Sequence, residues 1–259
     1  MAGLFDRMNS MKRLCHYFSL FEKILWSISI LTIIILYIIF PGNILSFLAS
    51  LIGATSLIFL AKGHFLTHIL TIAFSVLYAI VSYQTHYYSE LITYAGMTLP
   101  LAVIALVSWL RHPFKDKKVV EVATPPIYRY GIVLLLGGVA TFGFYFLLKY
   151  LQTPYLIIAT ISIFTSFVAC GLSILRSPYY ALAYALNDIV LIVLWSIQLA
   201  NDFTYLSMVI NFSVFLVNDI YGFINWRRIQ THQKKEKATA DFFWRNRIKR
   251  NGGRNTDVF

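Results

Sequence analysis

Long apolar runs separated by short polar stretches fill most of the 259-residue chain. A helix needs about 20 apolar residues to cross a bilayer, with roughly 17–25 allowed. By that criterion the runs predict eight spans, at 24–40, 44–61, 66–84, 89–110, 128–149, 154–175, 179–199 and 203–226. The pattern therefore predicts an all-α integral membrane protein with eight transmembrane helices.

Positively charged residues alternate between the two ends of these spans. The N-terminus, the turn at Lys62, the loop 111–118, the turn at Arg176 and the C-terminal tail are basic, whereas the intervening turns are almost free of Lys and Arg. Cytoplasmic loops carry the positive excess in membrane proteins. We therefore predict a multi-pass protein with both termini in the cytoplasm.

Composition supports the membrane assignment and narrows the partners. Apolar residues make up 58% of the chain and charged residues only 13%, about half the share of a soluble domain. The net charge of +11 lies in loops and tails, so we expect the tail to contact anionic membrane lipid and expect no nucleic-acid partner. Cys15 and Cys170 differ in depth, which predicts no disulfide and no metal framework.

Two stretches of three spans resemble each other. Residues 44–111 and 154–228 both have tight turns, and both end in a Trp with a basic residue close behind it, in VSWLRH and INWRRI. A Gln also stands near the end of each middle span, Gln84 and Gln198. Because three is odd, the single span between the stretches restores the same orientation, which predicts two parallel repeats. The predicted domains are 1–43 (N-terminus and first helix), 44–111 (first bundle), 112–153 (loop and linking helix), 154–228 (second bundle) and 229–259 (basic tail).

Polar residues inside the spans predict a substrate site. In the last span Asn211, Asn218 and Asn225 recur every seven residues, so one helix face carries all three. Transporters built from repeats bind their substrates near the membrane midplane, between the repeats. The full set of predicted site residues adds positions from three other spans and one more from the last: Tyr78, Gln84, Tyr94, Thr98, Asn187, Trp195, Gln198 and Tyr221.

Other roles for these polar residues stay open at this point. Asn side chains also join membrane helices through interhelical hydrogen bonds. For Asp188 and Asp219, which each follow an Asn, helix pairing competes equally with a role in substrate binding. Trp109 and Trp226 stand at span ends beside basic residues, a position typical of interfacial anchors. Pro100 predicts a kink in the fourth span.

The sequence lacks the motifs of several other classes of protein. It has no GxxxxGK[ST] phosphate-binding loop, no HExxH and no GxSxG, so ATP-driven transport by this chain alone is excluded and no hydrolase is indicated. We therefore predict no catalytic residues, no metal site and no cofactor.

Two motifs are similar to those of a known family. The stretch VLYAIVSYQTHYYSELITYAGMTLP (76–100) resembles a run in the PnuC family of nicotinamide riboside transporters, and VNDIYGFINWRR (217–228) resembles the closing N..YG..NW signature of that family. The stretch FEKILW (21–26) is similar to the amphipathic lead-in of these proteins. The resemblance covers roughly residues 20–228.

The resemblance implies a fold and an activity. It implies SWEET-like three-helix bundles joined by a linking helix, with one extra N-terminal helix, assembled as a homotrimer in the bacterial cytoplasmic membrane. It also implies facilitated diffusion of nicotinamide riboside, with a cytoplasmic kinase trapping the product. Three alternatives stay open: transport of thiamine or another vitamin or nucleoside by the same fold, proton- or sodium-coupled transport, and a membrane scaffold or enzyme.

Overall fold

The computed structural model describes residues 17–41, 43–84, 88–115, 119–201 and 203–252. Within these ranges the structure contains one π-helical turn, Thr93–Thr98, and one 3-10 turn, Phe203–Tyr205. The α-helices are α1 Leu20–Ile39, α2 Ile44–Ala61, α3 Leu66–Gln84, α4 Tyr88–Ile92, α5 Leu99–Leu110, α6 Ile127–Tyr150, α7 Leu156–Ile174, α8 Tyr180–Leu199 and α9 Leu206–Gly252.

All eight predicted spans are confirmed as helices long and apolar enough to cross a membrane. Helix α4, the π-turn and α5 together make the fourth span, Glu90–Leu110. The predicted ends agree within four residues except at the C-terminal end of the last helix. Helix α1 begins before its apolar run because Ser19 and Glu22 form a capping box, in which each side chain accepts a hydrogen bond from the backbone N–H of the other.

The fourth span departs from regular α-helix next to Pro100. Leu99 donates its backbone N–H to the carbonyl of Tyr94, five residues back, which closes the π-turn. Proline has no N–H and its ring presses on the preceding turn, so the helix widens there instead of continuing regularly. The predicted kink is therefore taken up by a π-turn, and this turn presents Tyr94 and Thr98.

Helices α2, α3 and α5 form one group, in which α3 packs on both of the others, and α7, α8 and α9 form a second, in which α8 packs on both of the others. Helix α6 packs on α7. The two groups meet where α9 packs against α2 and where α7 packs against α5. Helix α6 approaches α7 closely at Gly171, where a Cβ would lie 2.7 Å from Val133 Cγ1. Small residues allow this kind of approach between membrane helices. The domain boundaries proposed from the sequence stay a prediction.

Two tryptophans join the two groups reciprocally. Trp109, at the end of α5, donates its indole N–H to the Ser173 carbonyl at 2.9 Å. Trp226, in α9, donates to the Leu60 carbonyl at 2.8 Å. The two rings are 5.3 Å apart, and both side chains are buried, at 2% and 0% exposure. The two side chains are therefore packed between the groups instead of being exposed as anchors, because each indole N–H is satisfied by a carbonyl of the opposite group.

The basic tail continues as helix instead of ending at the membrane. Helix α9 has 47 residues, about 70 Å at 1.5 Å per residue. Its extension is tied to the linker before α6 by Gln233, which donates to the Val120 carbonyl and accepts from the Val122 N–H. Lys237 also pairs with Glu121 in the same linker. These contacts hold the linker against the helical tail.

A buried carboxylate connects α1 to the rest of the molecule. Glu22 is 1% exposed, forms a 2.9 Å ion pair with Lys62 and accepts a 2.6 Å hydrogen bond from the Tyr221 hydroxyl. The Lys62 ammonium lies 5.2 Å from the centroid of the Tyr17 ring. Burial and the nearby Glu22 carboxylate raise the pKa of Tyr17 to about 12, so Tyr17 stays neutral at physiological pH. This cluster connects three elements: α1, the α2–α3 turn and α9.

We expect Glu22→Ala to lower the free energy of unfolding by about 2 kcal/mol, because it leaves Lys62 and the Tyr221 hydroxyl without their shared acceptor. Unfolding of the purified protein in detergent measures the change. The matched control is Glu236→Ala, which breaks a half-exposed pair with Lys115 and is expected to cost less than about 1 kcal/mol. Equal losses in the two variants would contradict a structural role for the Glu22 cluster.

Candidate binding site

Two adjoining cavities lie where the two helical groups meet. The first, which we call the amide cavity, has a volume of about 120 Å³ and contains Asn187, Trp195 and Gln198 in its wall. The second, the acid cavity, has a volume of about 130 Å³ and contains Asp188 and Asp219. Both cavities are lined by the same five residues at their common wall: Tyr94, Thr98, Ser166, Asn187 and Leu191.

Helix α8 supplies the polar stripe of the amide cavity. Asn187, Leu191, Trp195 and Gln198 are spaced by four, four and three residues, so one helix face presents them all. All four line the cavity. The opposite wall comes from the π-turn, with Tyr94 and Thr98, and from α7. Five of the residues predicted from the sequence are thereby brought together.

The Asn187 amide is held by hydroxyl groups of α7. Its Oδ1 accepts hydrogen bonds from Thr165 at 2.7 Å and from Ser162 at 3.3 Å. With the oxygen engaged twice, the NH₂ group is the part of this amide left to donate. Asn187 is 6% exposed, so such a donation would go to a ligand in one of the two cavities whose walls it shares.

Trp195 carries a buried donor that the described part of the chain does not satisfy. The side chain is 5% exposed, and its indole N–H has no hydrogen-bond partner among the described residues. The ring lies 5.4 Å from the Tyr205 ring, tilted by 32°. Buried polar groups are usually paired, so an unpaired indole at a cavity wall is suited to donate to a ligand.

Aromatic rings of the group formed by α2, α3 and α5 line one side of the site. The Tyr94 ring is 4.4 Å from that of Tyr78 and 5.6 Å from that of Phe74. Tyr78 also forms a hydrogen bond with Glu90, and Glu90 lines the amide cavity. Tyr78 therefore stands behind Tyr94 and Glu90, where it positions both, and is not part of the lining of either cavity.

Four other predicted residues contact neighbouring helices instead of these cavities. Asn218 donates to the Ser29 hydroxyl of α1 at 3.0 Å, and Asn225 donates to the Ala61 carbonyl of α2 at 2.8 Å. Tyr221 donates to Glu22. Gln84 accepts from Asn43 at 3.2 Å in an exposed contact. These bonds are the interhelical contacts that the sequence left open as an alternative, and a substrate-binding role for these four residues stays a prediction.

Asn211 lies at a third cavity of about 210 Å³, among α1, α2 and the start of α9. Its Oδ1 has no hydrogen-bond partner among the described residues. The three Asn of the last span do share a helix face, but that face is directed at α1 and α2. Asp219, one residue beyond Asn218, lines the acid cavity.

Sequence reasoning missed the hydroxyl groups of α7. Ser162, Thr165 and Ser166 stand at i, i+3 and i+4, the spacing of one helix face, and that signal was present in the sixth predicted span. Sequence reasoning also did not assign Glu90 to the site, although it lines the amide cavity. In the part of the chain that the structure describes, no group of three His, Cys, Asp or Glu is arranged to hold a metal ion.

Known proteins resemble the chain in sequence and in fold. A family model described as nicotinamide mononucleotide transporter matches residues 43–228. The nicotinamide riboside transporter PnuC of Neisseria mucosa is 23% identical over 200 residues, which cover 75% of this chain and 76% of the relative. A crystal structure of the vitamin B3 transporter PnuC superposes with a TM-score of 0.71 at 21% identity, covering 83% of this chain and 94% of that one. At that identity the structural likeness shows a shared fold.

Proposed function

The chain belongs to the nicotinamide mononucleotide transporter family, and from that premise we propose that it carries nicotinamide riboside across the bacterial cytoplasmic membrane. The related protein from Neisseria mucosa is named for the riboside, whereas the family is described by the phosphorylated mononucleotide. These two substrates differ by a phosphate group, so the charge of the site distinguishes between them.

The residue types in the cavity walls support the choice of the riboside. Glu90 lines the amide cavity and Asp188 and Asp219 line the acid cavity, while neither cavity has a Lys or an Arg among its described lining residues. Phosphate recognition relies on Arg, Lys or clustered backbone N–H groups. An acidic and aromatic site instead suits a ligand with a cationic ring and an uncharged sugar, which describes nicotinamide riboside.

Each substrate group has a matching set of protein groups. In this proposal the rings of Trp195 and Tyr94 pack against the cationic pyridinium, a contact worth about 2 kcal/mol when desolvated. The Trp195 indole, the Asn187 NH₂ group and the Gln198 amide supply donors and an acceptor for the carboxamide and ribose hydroxyls. Thr98, on the opposite wall, adds a hydroxyl.

Transport would proceed by rocking of the two helical groups around this site, which exposes it to each side in turn. The reciprocal Trp109 and Trp226 contacts lie at one end of the interface between the groups, and they would have to separate or pivot in that motion. We propose facilitated diffusion, with a cytoplasmic kinase that traps the product, as the family resemblance implies. The lack of a GxxxxGK[ST] motif in the sequence is consistent with transport that does not use ATP.

The proposed setting in the membrane rests on charge and exposure. The basic turns and tail support an orientation with both termini in the cytoplasm. Helix α6 exposes Leu135, Phe142 and Phe146, an apolar surface suited to lipid or to neighbouring subunits of the proposed homotrimer. Native mass spectrometry of the detergent-solubilised protein tests the trimer.

The substrate is tested by thermal shift and by uptake into liposomes. Nicotinamide riboside is expected to raise the unfolding temperature by mass action and to enter proteoliposomes, whereas the mononucleotide is expected to do neither. Thiamine, which also has a cationic aromatic ring, is included as the competing substrate. A larger shift with thiamine or with the mononucleotide than with the riboside would overturn the assignment.

A pair of variants tests the location of the site. We expect Gln198→Ala to weaken riboside binding by about fivefold to tenfold, the effect of one lost hydrogen bond. Asn225→Ala is the matched control, because it also removes an amide of a membrane helix but breaks only the contact with Ala61. If Asn225→Ala weakened binding and Gln198→Ala did not, the site would lie along the last helix instead.

A further inference from the structure

The cavity that Asn211 lines, which we call the outer cavity, lies between α2 and the start of α9 and is bordered by α1. Its volume of about 210 Å³ is larger than that of the amide cavity or the acid cavity. It begins at the helix ends around Phe40 and Asn43 and reaches inward to Ser50, six residues into α2, or about 9 Å along the helix. These helix ends lie opposite the basic turns, and the proposed orientation places them outside the cell.

Two helix faces give the outer cavity a polar wall. On α2, Asn43, Ser46 and Ser50 are spaced by three and four residues, and on α9 Ser207 and Asn211 are spaced by four. Each set therefore shares one helix face, and all five residues line the cavity. The Asn211 Oδ1 atom is buried and has no hydrogen-bond partner among the described residues. The wall thus contains a buried acceptor that a ligand with a donor group can satisfy.

Aromatic rings form the other part of the lining. The rings of Tyr37 and Phe47 are stacked at 4.3 Å with an angle of 23° between their planes, and both line the outer cavity with Phe40. Amide, hydroxyl and aromatic groups also line the amide cavity. A lipid chain offers no donor to Asn211 Oδ1, whereas a small polar solute with an aromatic ring matches both parts of the lining.

The three Asn of α9 are used differently along the helix. Asn218 and Asn225, nearer the basic turns, donate to Ser29 of α1 and to the Ala61 carbonyl of α2. The Trp226 indole closes the same end by its bond to the Leu60 carbonyl. The Asn211 carbonyl oxygen instead stands at a cavity. The contact of α9 with α1 and α2 is therefore hydrogen-bonded at its inner end and contains open space at its outer end.

One layer of side chains separates the outer cavity from the acid cavity. Phe215 stands four residues after Asn211, and Gly53 three residues after Ser50, so each lies about one turn deeper on the same helix face. A Cβ on Gly53 would lie 3.2 Å from Phe215 Cζ and 3.4 Å from Phe74 Cδ2. Gly53 and both rings line the acid cavity. The rings therefore pack into the space that the missing Cβ leaves, between the two cavities.

We propose that the outer cavity is a second binding site of the transporter, an outer vestibule in which nicotinamide riboside docks before it reaches the midplane cavities. Asn211 Oδ1 accepts a hydrogen bond from the carboxamide or a ribose hydroxyl. The Phe215 ring, packed against Gly53, is the partition that must move aside for the riboside to pass inward. The inference rests on the proposed function, since the riboside is the ligand.

A single cysteine tests whether the vestibule opens outward and binds the riboside. Ser50→Cys is introduced with Cys15→Ser and Cys170→Ser, and a membrane-impermeant thiosulfonate reagent is added outside intact cells. We expect the cysteine to be labelled from outside. Nicotinamide riboside is expected to slow labelling by mass action, about tenfold at about ten times its dissociation constant.

The matched control is Leu48→Cys in the same background. Leu48 is on the same helix, does not line the cavity and is 41% exposed, on a surface suited to lipid. A thiol in lipid does not form the reactive thiolate, so slow labelling without riboside protection is expected there. Labelling of Ser50→Cys no faster than that of Leu48→Cys would mean that the cavity opens to lipid, and it would overturn the proposal.

A second labelling experiment tests the partition. Cys170, which lines the acid cavity, is kept as the single cysteine by Cys15→Ser. Phe215→Ala is expected to speed its labelling from outside by about tenfold or more, because access no longer waits for the ring to move. Phe215→Leu retains a smaller side chain and is expected to give an intermediate rate, which is measured even if the Ala variant does not fold.

Phe142→Ala removes an exposed ring of α6 and is the control for the partition, with an unchanged labelling rate expected. If neither Phe215 variant labels Cys170 faster than this control, Phe215 is not the partition.

Failure of this inference and failure of the proposed function look different when uptake is measured in parallel. If the wild-type protein takes up the riboside but the riboside does not protect Ser50→Cys, only the vestibule is wrong. If the wild-type protein does not take up the riboside, the proposed function itself is wrong.

Discussion

Replacing Trp195 by Ala is expected to weaken nicotinamide riboside binding by roughly 30-fold or more. The substitution removes a buried ring at the wall of the amide cavity together with an indole donor that no described residue engages. Buried aromatic anchors in binding sites typically cost about 2 kcal/mol or more on truncation to Ala, and about 1.4 kcal/mol corresponds to a factor of ten. Isothermal titration with the riboside measures the loss.

Two companion variants give this prediction its specificity. Trp195→Phe keeps an aromatic ring but loses the indole N–H, so it is expected to fall between the wild-type protein and the Ala variant. Trp244→Ala removes a tryptophan that is 64% exposed in the tail and is expected to leave binding unchanged. An unchanged dissociation constant in Trp195→Ala, with the variant folded, would remove the amide cavity as the binding site.

Replacing Trp226 by Ala is expected to lower the free energy of unfolding by about 3–5 kcal/mol, the range for a fully buried large aromatic side chain. Trp226 is 0% exposed, its ring packs against those of Trp109 and Tyr180, and its indole N–H donates to Leu60. Side-chain packing contributes much of the stability of associated membrane helices. The packing energy lost with the Trp226 ring is therefore expected to appear in full as lost stability. Equilibrium unfolding in mixed micelles measures the loss.

Trp226→Phe separates the hydrogen bond from the ring. It retains most of the aromatic packing and is expected to cost about 1–2 kcal/mol less than Trp226→Ala, while Trp244→Ala is again expected to be neutral. The result opposite to ours is a Trp226→Ala protein as stable as the wild type, which would return Trp226 to the interfacial role that the sequence suggested. A loss of unfolding free energy near the expected range supports the reciprocal contacts of Trp109 and Trp226 between the groups.

The membrane-spanning helices were predictable because the bilayer imposes a simple constraint. Every backbone polar group must be satisfied within the segment, so span length and apolar composition were enough to locate all eight helices. The π-turn at Thr93–Thr98 was anticipated only as a kink, since Pro100 removes a specific hydrogen bond but does not specify how the backbone adapts. The helical tail was not anticipated, because its support comes from the distant linker at 119–122.

The candidate site was predictable where its residues share one helix face. Asn187, Trp195 and Gln198 follow helical spacing, so their convergence on the amide cavity needed only the pitch of α8. The same reasoning placed Asn211, Asn218 and Asn225 together correctly but not their partners, since a stripe does not say which helix it meets. Asn218 meets Ser29 of α1, 189 positions away.

By itself, the sequence determined the helices, their number and the faces that carry polar residues, because each of these depends on contacts within about two turns of chain. The tertiary structure decided which polar helix face lines a cavity and which forms hydrogen bonds with a neighbouring helix. It placed Trp226 in the core, turned Asn218 and Asn225 toward neighbouring helices, and brought Asp188 and Asp219 together across α8 and α9. The physical reason is that a buried polar group needs a hydrogen-bond partner. The partners here lie on other helices, so the spacing of residues along one helix does not identify them.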